Sequence, residues 1–476
     1  MVTFTIALLL LICGYFLYGK YIERVFGPDK TRKTPALTMT DGVDYIPMPT
    51  WKIFMIQFLN IAGLGPIFGA IMGAKFGVAS YIWIVVGTIF AGAVHDYISG
   101  MLSLRHQGES LPEIIGRYLG VTTKQLMRGF TVILMVLVGA VFVAGPAALL
   151  AKLTPDYMDE TFWIIIVFLY YVLATLLPID KIIGKIYPVF AVALLFMAFG
   201  ILISLYVNCP NLPEITDGLQ NTHPDHLPIF PIMFVSIACG AISGFHATQS
   251  PLMARCMKTE KEGRIVFFGS MITEGIVALI WAAAATYFFH ENGFGERNAS
   301  IIVDSITHNW LGTVGGVLAI LGVIAAPITS GDTALRSARL IVADFIHLDQ
   351  KSIRKRLYIS IPIFTVTIAI LLYSLKDSAG FDMIWRYFAW CNQTLAVFTL
   401  WAVTVYIVKA KKNYLITLLP ALFMTAVCST YICIAPEGLS LSTTLSYIAG
   451  GSLTLSALIL FIYWFNKQKS SVYEKI

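Results

Sequence analysis

Apolar residues run along this chain in long blocks separated by short basic or polar connectors, a pattern with the length scale of a bilayer. At about 17 to 25 apolar residues per crossing, the blocks near 2–18, 53–73, 78–104, 126–151, 161–178, 186–207, 229–249, 265–289, 313–335, 357–374, 384–408, 414–435 and 441–465 predict an all-α membrane protein of about 13 transmembrane helices. Two blocks are written to break. In Gln57 to Gly77, QFLNIAGLGPIFGAIMGAKFG, residues Gly63, Gly65 and Pro66 fall in mid-span. Inside a helix Gly costs roughly 1 kcal/mol and Pro roughly 3 kcal/mol against Ala, which predicts an unwound turn between two half-helices. The same stretch has Gly65, Gly69, Gly73 and Gly77 four apart, which also suits tight helix packing. In Ser236 to Ser250, SIACGAISGFHATQS, Gly240 and Gly244 again sit at mid-span.

The two interrupted blocks are five helices apart, so the second crosses the membrane in the opposite direction. Ala144-Gly145-Pro146 through Leu149 and Ala326-Pro327 through Leu335 rhyme in the same way, as third members of each five. The pattern reads as one helix, five, five inverted, and two. This divides the chain into 1–51, 52–207, 208–410 and 411–476. A 5+5 inverted repeat with broken first helices places a binding site at the midplane between the breaks, where freed N–H and C=O groups can hold a substrate and a coupling ion.

Composition agrees with the membrane reading: 57% of residues are hydrophobic, 13% are charged and the mean hydropathy is +0.77. The net charge of +6 matters less than its placement. With the N-terminus outside, all but five of the 33 basic residues fall on cytoplasmic segments, the exceptions being Lys75, Lys152, Arg297, Lys376 and Arg386. The C-terminus is then cytoplasmic. The first block lacks a basic leader and a small-residue cleavage site, so it reads as a retained helix and not a signal peptide. Seven scattered cysteines without a C-x-x-C indicate neither a disulfide framework nor a zinc finger. Glu109 to Gly120 carries Ser110-x-x-Glu113 with Pro112, which predicts a short interfacial helix started by a capping box. The outer loop 208–228, rich in Pro, Asp and His, reads as a cap over the extracellular mouth or a solvated connector.

Ionisable groups at the bilayer centre cost about 2.5 to 3.5 kcal/mol each on insertion scales, so those present are candidates for function. They are His95 and Asp96 in the third block, His246 in the seventh, Glu274 in the eighth and Asp332 in the ninth. At 1.5 Å per residue, His95, His246 and Asp332 lie about 25 to 30 Å from the outer ends of their helices, in one layer near the cytoplasmic side, with Glu274 nearer the middle. Gln57, Asn60, Gln249, Asn392 and Gln393 add neutral hydrogen-bonding groups near the midplane, suited to a polar substrate or to helix contacts. No G-x-x-x-x-G-K-[ST], G-x-S-x-G or H-E-x-x-H occurs, which removes the ATPase, serine hydrolase and zinc protease readings; the chain is not expected to be an enzyme.

The runs Asn60 to Gly73, Phe90 to Leu104 (FAGAVHDYISGMLSL), Pro112 to Gly120 (PEIIGRYLG) and Gly244 to Cys256 (GFHATQSPLMARC), with Ala326 to Arg339, closely resemble the carbon starvation protein A family. The resemblance implies an inner-membrane transporter induced on nutrient limitation and linked to uptake of short peptides and of pyruvate. It also implies kinship with amino acid, polyamine and organocation transporters of the LeuT-type fold. On this reading Asn60, Gly63, Gly65, Gly240, Ser243, Gly244, Gln249 and Asn392 contact a small carboxylate-bearing substrate. His95, Asp96, His246, Glu274 and Asp332 handle the coupling proton. A LeuT-type sodium site would use Thr329, Ser330 and Thr333. The alternative is a membrane-embedded metal-binding protein or metalloenzyme with a divalent metal on His95, Asp96, His246 and Asp332.

Overall fold

The described residues of the apolar blocks fall in helical or broken-helical segments of the computed structural model, which describes residues 1–176, 183–208, 210–295, 299–350, 352–374 and 378–473. Lys181, Arg297, Lys351, Lys376 and Lys475 of the charge pattern lie outside the described residues. Among the described residues there is no strand, and ten helices are long and apolar enough to cross a membrane, or eleven if the bent pair at the first break is one span. The chain is a multi-pass membrane protein.

In order, the elements are α1 (Val2–Phe16) and α2 (Tyr18–Phe26), then α3 (Thr50–Ile61) and α4 (Ala70–Ala74) flanking the first break. Next come α5 (Ala79–Gly87), α6 (Ala93–Arg105), the short α7 (Leu111–Leu119), α8 (Val121–Leu153), α9 (Glu160–Leu176) and α10 (Ile183–Asn208). The second broken segment holds α11 (Ala238–Ala241) and α12 (Gly244–Ala254). It is followed by α13 (Ser270–Asn292), α14 (Ala299–Phe345), α15 (Ile353–Ser374), α16 (Ser378–Lys409), α17 (Leu415–Ile434) and α18 (Thr443–Tyr473). The central helices are mostly buried, 83% of the α5–α6 span and 81% of the α14 span. The first span is 28% buried and the last 17%, so these two lie on the rim. The helix α14 begins earlier than the apolar block because a kink at Gly312, with φ +68°, joins an extra segment to its start.

The first break is where Gly63, Gly65 and Pro66 put it: the axis turns by 54° between Thr50–Ile61 and Gly65–Ala74. The glycine stripe is used as well. A Cβ on Gly65 would lie 2.2 Å from Cβ of Cys239, one on Gly69 2.8 Å from the Ser236 carbonyl oxygen, and one on Gly73 2.2 Å from Cγ1 of Ile237. The segment that leaves the first break is thus zipped against the segment that enters the second. Gly65→Ala is expected to lower the thermal midpoint by the equivalent of about 1 to 3 kcal/mol, the usual cost of overpacking. Adding Cys239→Gly should restore most of it, as thermal unfolding of the purified single and double variants would show. No recovery in the double variant would mean that this contact does not set the cost.

The short helix α7 forms, but its predicted capping box does not. Ser110 occupies the N-cap without a side-chain cap bond, and Glu113 instead holds Lys124 and Arg128. Two basic partners outcompete a single backbone N–H for that carboxylate. The loop 210–228 does cover the neighbouring helix end: Thr222 Oγ1 donates to the Lys75 carbonyl at 2.8 Å, and His223 lies over Phe76 with ring centroids 4.6 Å apart.

Candidate functional site

Breaking a buried helix frees backbone groups, and each must find a partner. At the second break the unwound residues are Ile242 and Ser243, both extended, and not the glycines on either side. Side chains from distant helices supply the partners. Asn392 Oδ1, on α16, accepts the Phe245 N–H at 2.7 Å and the Ser243 hydroxyl at 3.0 Å; Gln393 Nε2 donates to the Ile242 carbonyl at 2.9 Å. Thr88 Oγ1 donates to the Gly240 carbonyl at 3.0 Å. Gly244 is needed because its Cβ would stand 2.4 Å from the α16 backbone.

At the first break the Ser330 hydroxyl of α14 reaches across to the Leu59 carbonyl at 3.1 Å, and it would lie 3.2 Å from a Cβ on Gly63. Of the three hydroxyls proposed for a sodium site, only Ser330 makes this contact. Thr329 and Thr333 bond back to carbonyls of their own helix. One turn before the break, Gln57 and Asn60 share a face of α3, fully buried, and neither amide has a hydrogen-bond partner within the protein. Gln249 on α12, which packs on α3, donates to Thr248 at 3.0 Å and leaves its carbonyl oxygen unpaired. Beside them stands an aromatic wall that the sequence did not announce. Phe142 meets Phe245 and Phe388 edge-on at 6.2 and 5.8 Å, and its ring would be 2.7 Å from a Cβ on Gly63.

The ionisable residues form a chain. His95 Nδ1 lies 2.8 Å from Asp96 Oδ1, and His246 Nδ1 lies 2.8 Å from Asp96 Oδ2. His246 Nε2 is 3.3 Å from Glu274 Oε2, an ion-pair contact whose alignment falls short of a hydrogen bond. All four side chains are fully buried. An imidazole donates from both nitrogens only as the imidazolium. With a carboxyl at each end of its ring, His246 therefore requires either that cation or a protonated acid beside it. The arrangement has the chemistry to hold an exchangeable proton between carboxyl and imidazole, with His246 two residues past the start of α12.

Two expectations are corrected here. Glu274, set nearer the middle from its depth, touches His246. Asp332 is not joined to the histidines: its Oδ2 accepts from Tyr187 Oη at 2.6 Å, and Arg336 follows one turn on along α14. Helical rise fixed its height but not the direction it faces. The metal set His95, Asp96, His246 and Asp332 accordingly does not converge, and among the described residues no three or more His, Cys, Asp or Glu are placed to hold a metal ion.

Against known proteins, the family model described as carbon starvation protein CstA matches residues 1–155, 147–303 and 292–431. The chain is 43% identical over 339 residues to an uncharacterized membrane protein of Haemophilus influenzae, covering 61% of this chain and 91% of that one. It is 25% identical over 459 residues to the peptide transporter CstA of Campylobacter jejuni, covering 83% and 63%. It is 26% identical over 339 residues to the pyruvate/proton symporter BtsT of Escherichia coli, covering 58% and 47%. The chain thus spans about half to two thirds of the length of these two transporters. Among solved structures, the Eremococcus coleocola manganese transporter matches with TM-score 0.54 at 14% identity, over 89% of this chain and 98% of that one. MhsT in complex with L-phenylalanine matches with TM-score 0.56 at 12% identity, over 85% and 98%. Both are LeuT-fold transporters, and at such identity the likeness concerns the fold alone.

Proposed function

The chain belongs to the carbon starvation protein CstA family, and from that premise we propose that it is a secondary active transporter importing small carboxylate-bearing nutrients, short peptides or pyruvate, by proton symport. The observation that carries the reading is the buried run of ionisable side chains His95–Asp96–His246–Glu274, whose His246 stands on the half-helix that leaves the second break. A substrate held at the breaks and a proton held two residues away are bound by one moving element, which is what coupling requires. In this reading the thirteen segments form a 5+5 inverted repeat with one helix before and two after. The N-terminus is outside, and the basic connectors are cytoplasmic.

The unpartnered amides of Gln57 and Asn60 and the free carbonyl of Gln249 are the groups offered to the substrate. An amide N–H donates to a carboxylate and an amide C=O accepts from a peptide N–H or an ammonium, so the set suits a short peptide as well as a simple acid. Phe142 closes over the Gly63 turn and keeps the site dry, where such bonds count for more. Ser330 with the Leu59 carbonyl is the place for a sodium ion if sodium takes part.

Uptake of labelled pyruvate and of a labelled dipeptide into proteoliposomes, each under an imposed proton or sodium gradient, tests this. The expected result is accumulation of one of the two against its gradient when the outside is acidic, abolished by a protonophore. Accumulation driven by sodium alone would refute proton symport, and no gradient-dependent uptake of either compound would refute the substrate class.

A further inference from the structure

The first helix rests closely on its neighbours along one flank and stands off along another. Where it is close, a Cβ on Gly14 would lie 2.8 Å from Cγ1 of Ile89. Where it stands off, a cleft of about 330 Å³ opens between α1, α3 and the start of α13, with Ile12, Tyr15, Phe54, Ile265, Thr273 and Ile276 in its walls. The three walls meet at Gly269, whose Cβ would stand 3.3 Å from the Tyr15 ring and 3.7 Å from that of Phe54. Apart from Tyr15 and Thr273 the lining is apolar, and the Thr273 hydroxyl is spent on the Gly269 carbonyl at 2.9 Å. Such a surface offers water few partners. Its longest wall runs from Ile265 to Ile276, about 16 Å of helical rise, which is half the hydrocarbon thickness of a bilayer of about 30 Å and so the reach of one leaflet.

One end of the cleft is basic. Arg264 immediately precedes the wall residue Ile265, and its guanidinium lies over the ring of Tyr15 at 5.0 Å. Its Nε is 2.8 Å from Glu23 Oε2 of α2, while Nη1 is buried and has no hydrogen-bond partner within the protein. A guanidinium nitrogen left open in this way calls for a further acceptor, and its fork is shaped for phosphate or carboxylate oxygens. Lys52 stands two residues before Phe54 on α3, and Lys20 stands one turn before Glu23 on α2. Beside Lys52, Trp51 is 61% exposed, as is common for Trp at the level of lipid headgroups. An apolar slot one leaflet deep, opening at headgroup level beside an incompletely paired arginine, has the chemistry of a site for an anionic phospholipid.

We propose that the cleft between α1, α3 and α13 holds one acyl chain of an anionic phospholipid, with the lipid phosphate bound by Arg264. In the orientation given above, that lipid belongs to the cytoplasmic leaflet. Phe54 is part of α3, the half-helix that carries Gln57 and Asn60 into the first break, so the bound chain braces this half-helix from the membrane side. The inference stands on the membrane setting alone and is independent of what the protein carries.

The test uses the full chain in detergent, with phosphatidylglycerol as the probe and phosphatidylcholine of identical acyl chains as the control. Phosphatidylglycerol should raise the thermal midpoint of the parent by several degrees more than phosphatidylcholine, and inorganic phosphate at the same concentration should leave it unchanged. Arg264→Gln should erase the preference by removing the phosphate ligand, and Thr273→Trp should erase it by filling the slot while leaving Arg264 in place. Equal responses of the parent to both lipids, or a preference that survives either substitution, would overturn the proposal. A shift with inorganic phosphate as large as that with phosphatidylglycerol would also overturn it, since the site would then take a free anion and not a lipid. Should Arg264→Gln fail to fold, Glu23→Gln replaces it. With its acidic neighbour neutral, Arg264 should bind the lipid phosphate more strongly and enlarge the preference, and an unchanged preference counts against the site. No transport measurement enters, so the outcome is separate from that of the uptake experiments.

Discussion

Replacing Glu274 by Gln should abolish accumulation driven by a proton gradient, by at least about tenfold at steady state, while leaving exchange of substrate between compartments of equal pH near the parental rate. Gln has the shape of Glu but cannot gain or lose a proton. His246 would then face one acid instead of two, and the unit His95–Asp96–His246 would lose the acceptor that lets the proton change hands as α12 moves. A tenfold change corresponds to about 1.4 kcal/mol of coupling free energy, within the ordinary range for linked binding. Counterflow and gradient-driven uptake in the same proteoliposomes separate the two properties. Parental accumulation by Glu274→Gln would shift the coupling role to Asp332 with Tyr187, or to an ion held at Ser330 and the Leu59 carbonyl.

Asn392→Ala should damage both stability and transport. Its amide oxygen closes the N-terminal end of α12, and its amide nitrogen reaches Cys239 Sγ at 3.3 Å. Truncation leaves the buried Phe245 N–H without a partner, which costs about 1 to 3 kcal/mol, and frees Ser243 to turn. The expected outcome is a lower unfolding midpoint together with a transport rate at least about tenfold below the parent. Asn392→Asp, which keeps an acceptor in place, should fall between the two. A parental midpoint and a parental rate for Asn392→Ala would show that the break is held by Gln393 and Thr88 alone.

Where the sequence could be read and where it could not follows from which interactions are local. Gly63, Gly65 and Pro66 break a helix by their own backbone chemistry, and the bend is found at those residues. The second break lies at Ile242 and Ser243, which have no such preference. It exists because Asn392, Gln393 and Thr88 satisfy the opened backbone from other helices, and nothing near residue 242 in the sequence announces them. Residue depth along a helix is equally local, so His95 and His246 could be set in one layer. Azimuth is not local: Asp332 shares that helical arithmetic yet turns toward Tyr187, and Glu274 turns out to be the partner of His246. Phe142 carries no local signal of its role, which comes from the Gly63 turn packed against its ring. Asp44 sits in a connector full of charge, and its buried ion-pair partner Arg336 lies nearly three hundred residues on.

The seam between Gly65–Gly73 and Ser236–Cys239 constrains how this protein changes shape. Where glycine backbone rests directly on the Cys239 and Ile237 side chains and on the Ser236 carbonyl, there is little to deform gradually, and a small sliding step meets hard repulsion at once. The halves of the two broken segments that meet there are therefore obliged to travel as one piece, and any give must come from the unwound residues at their inner ends. A device with a stiff joint and two soft ones does not bend continuously but snaps, so its conformations are expected to be few and well separated.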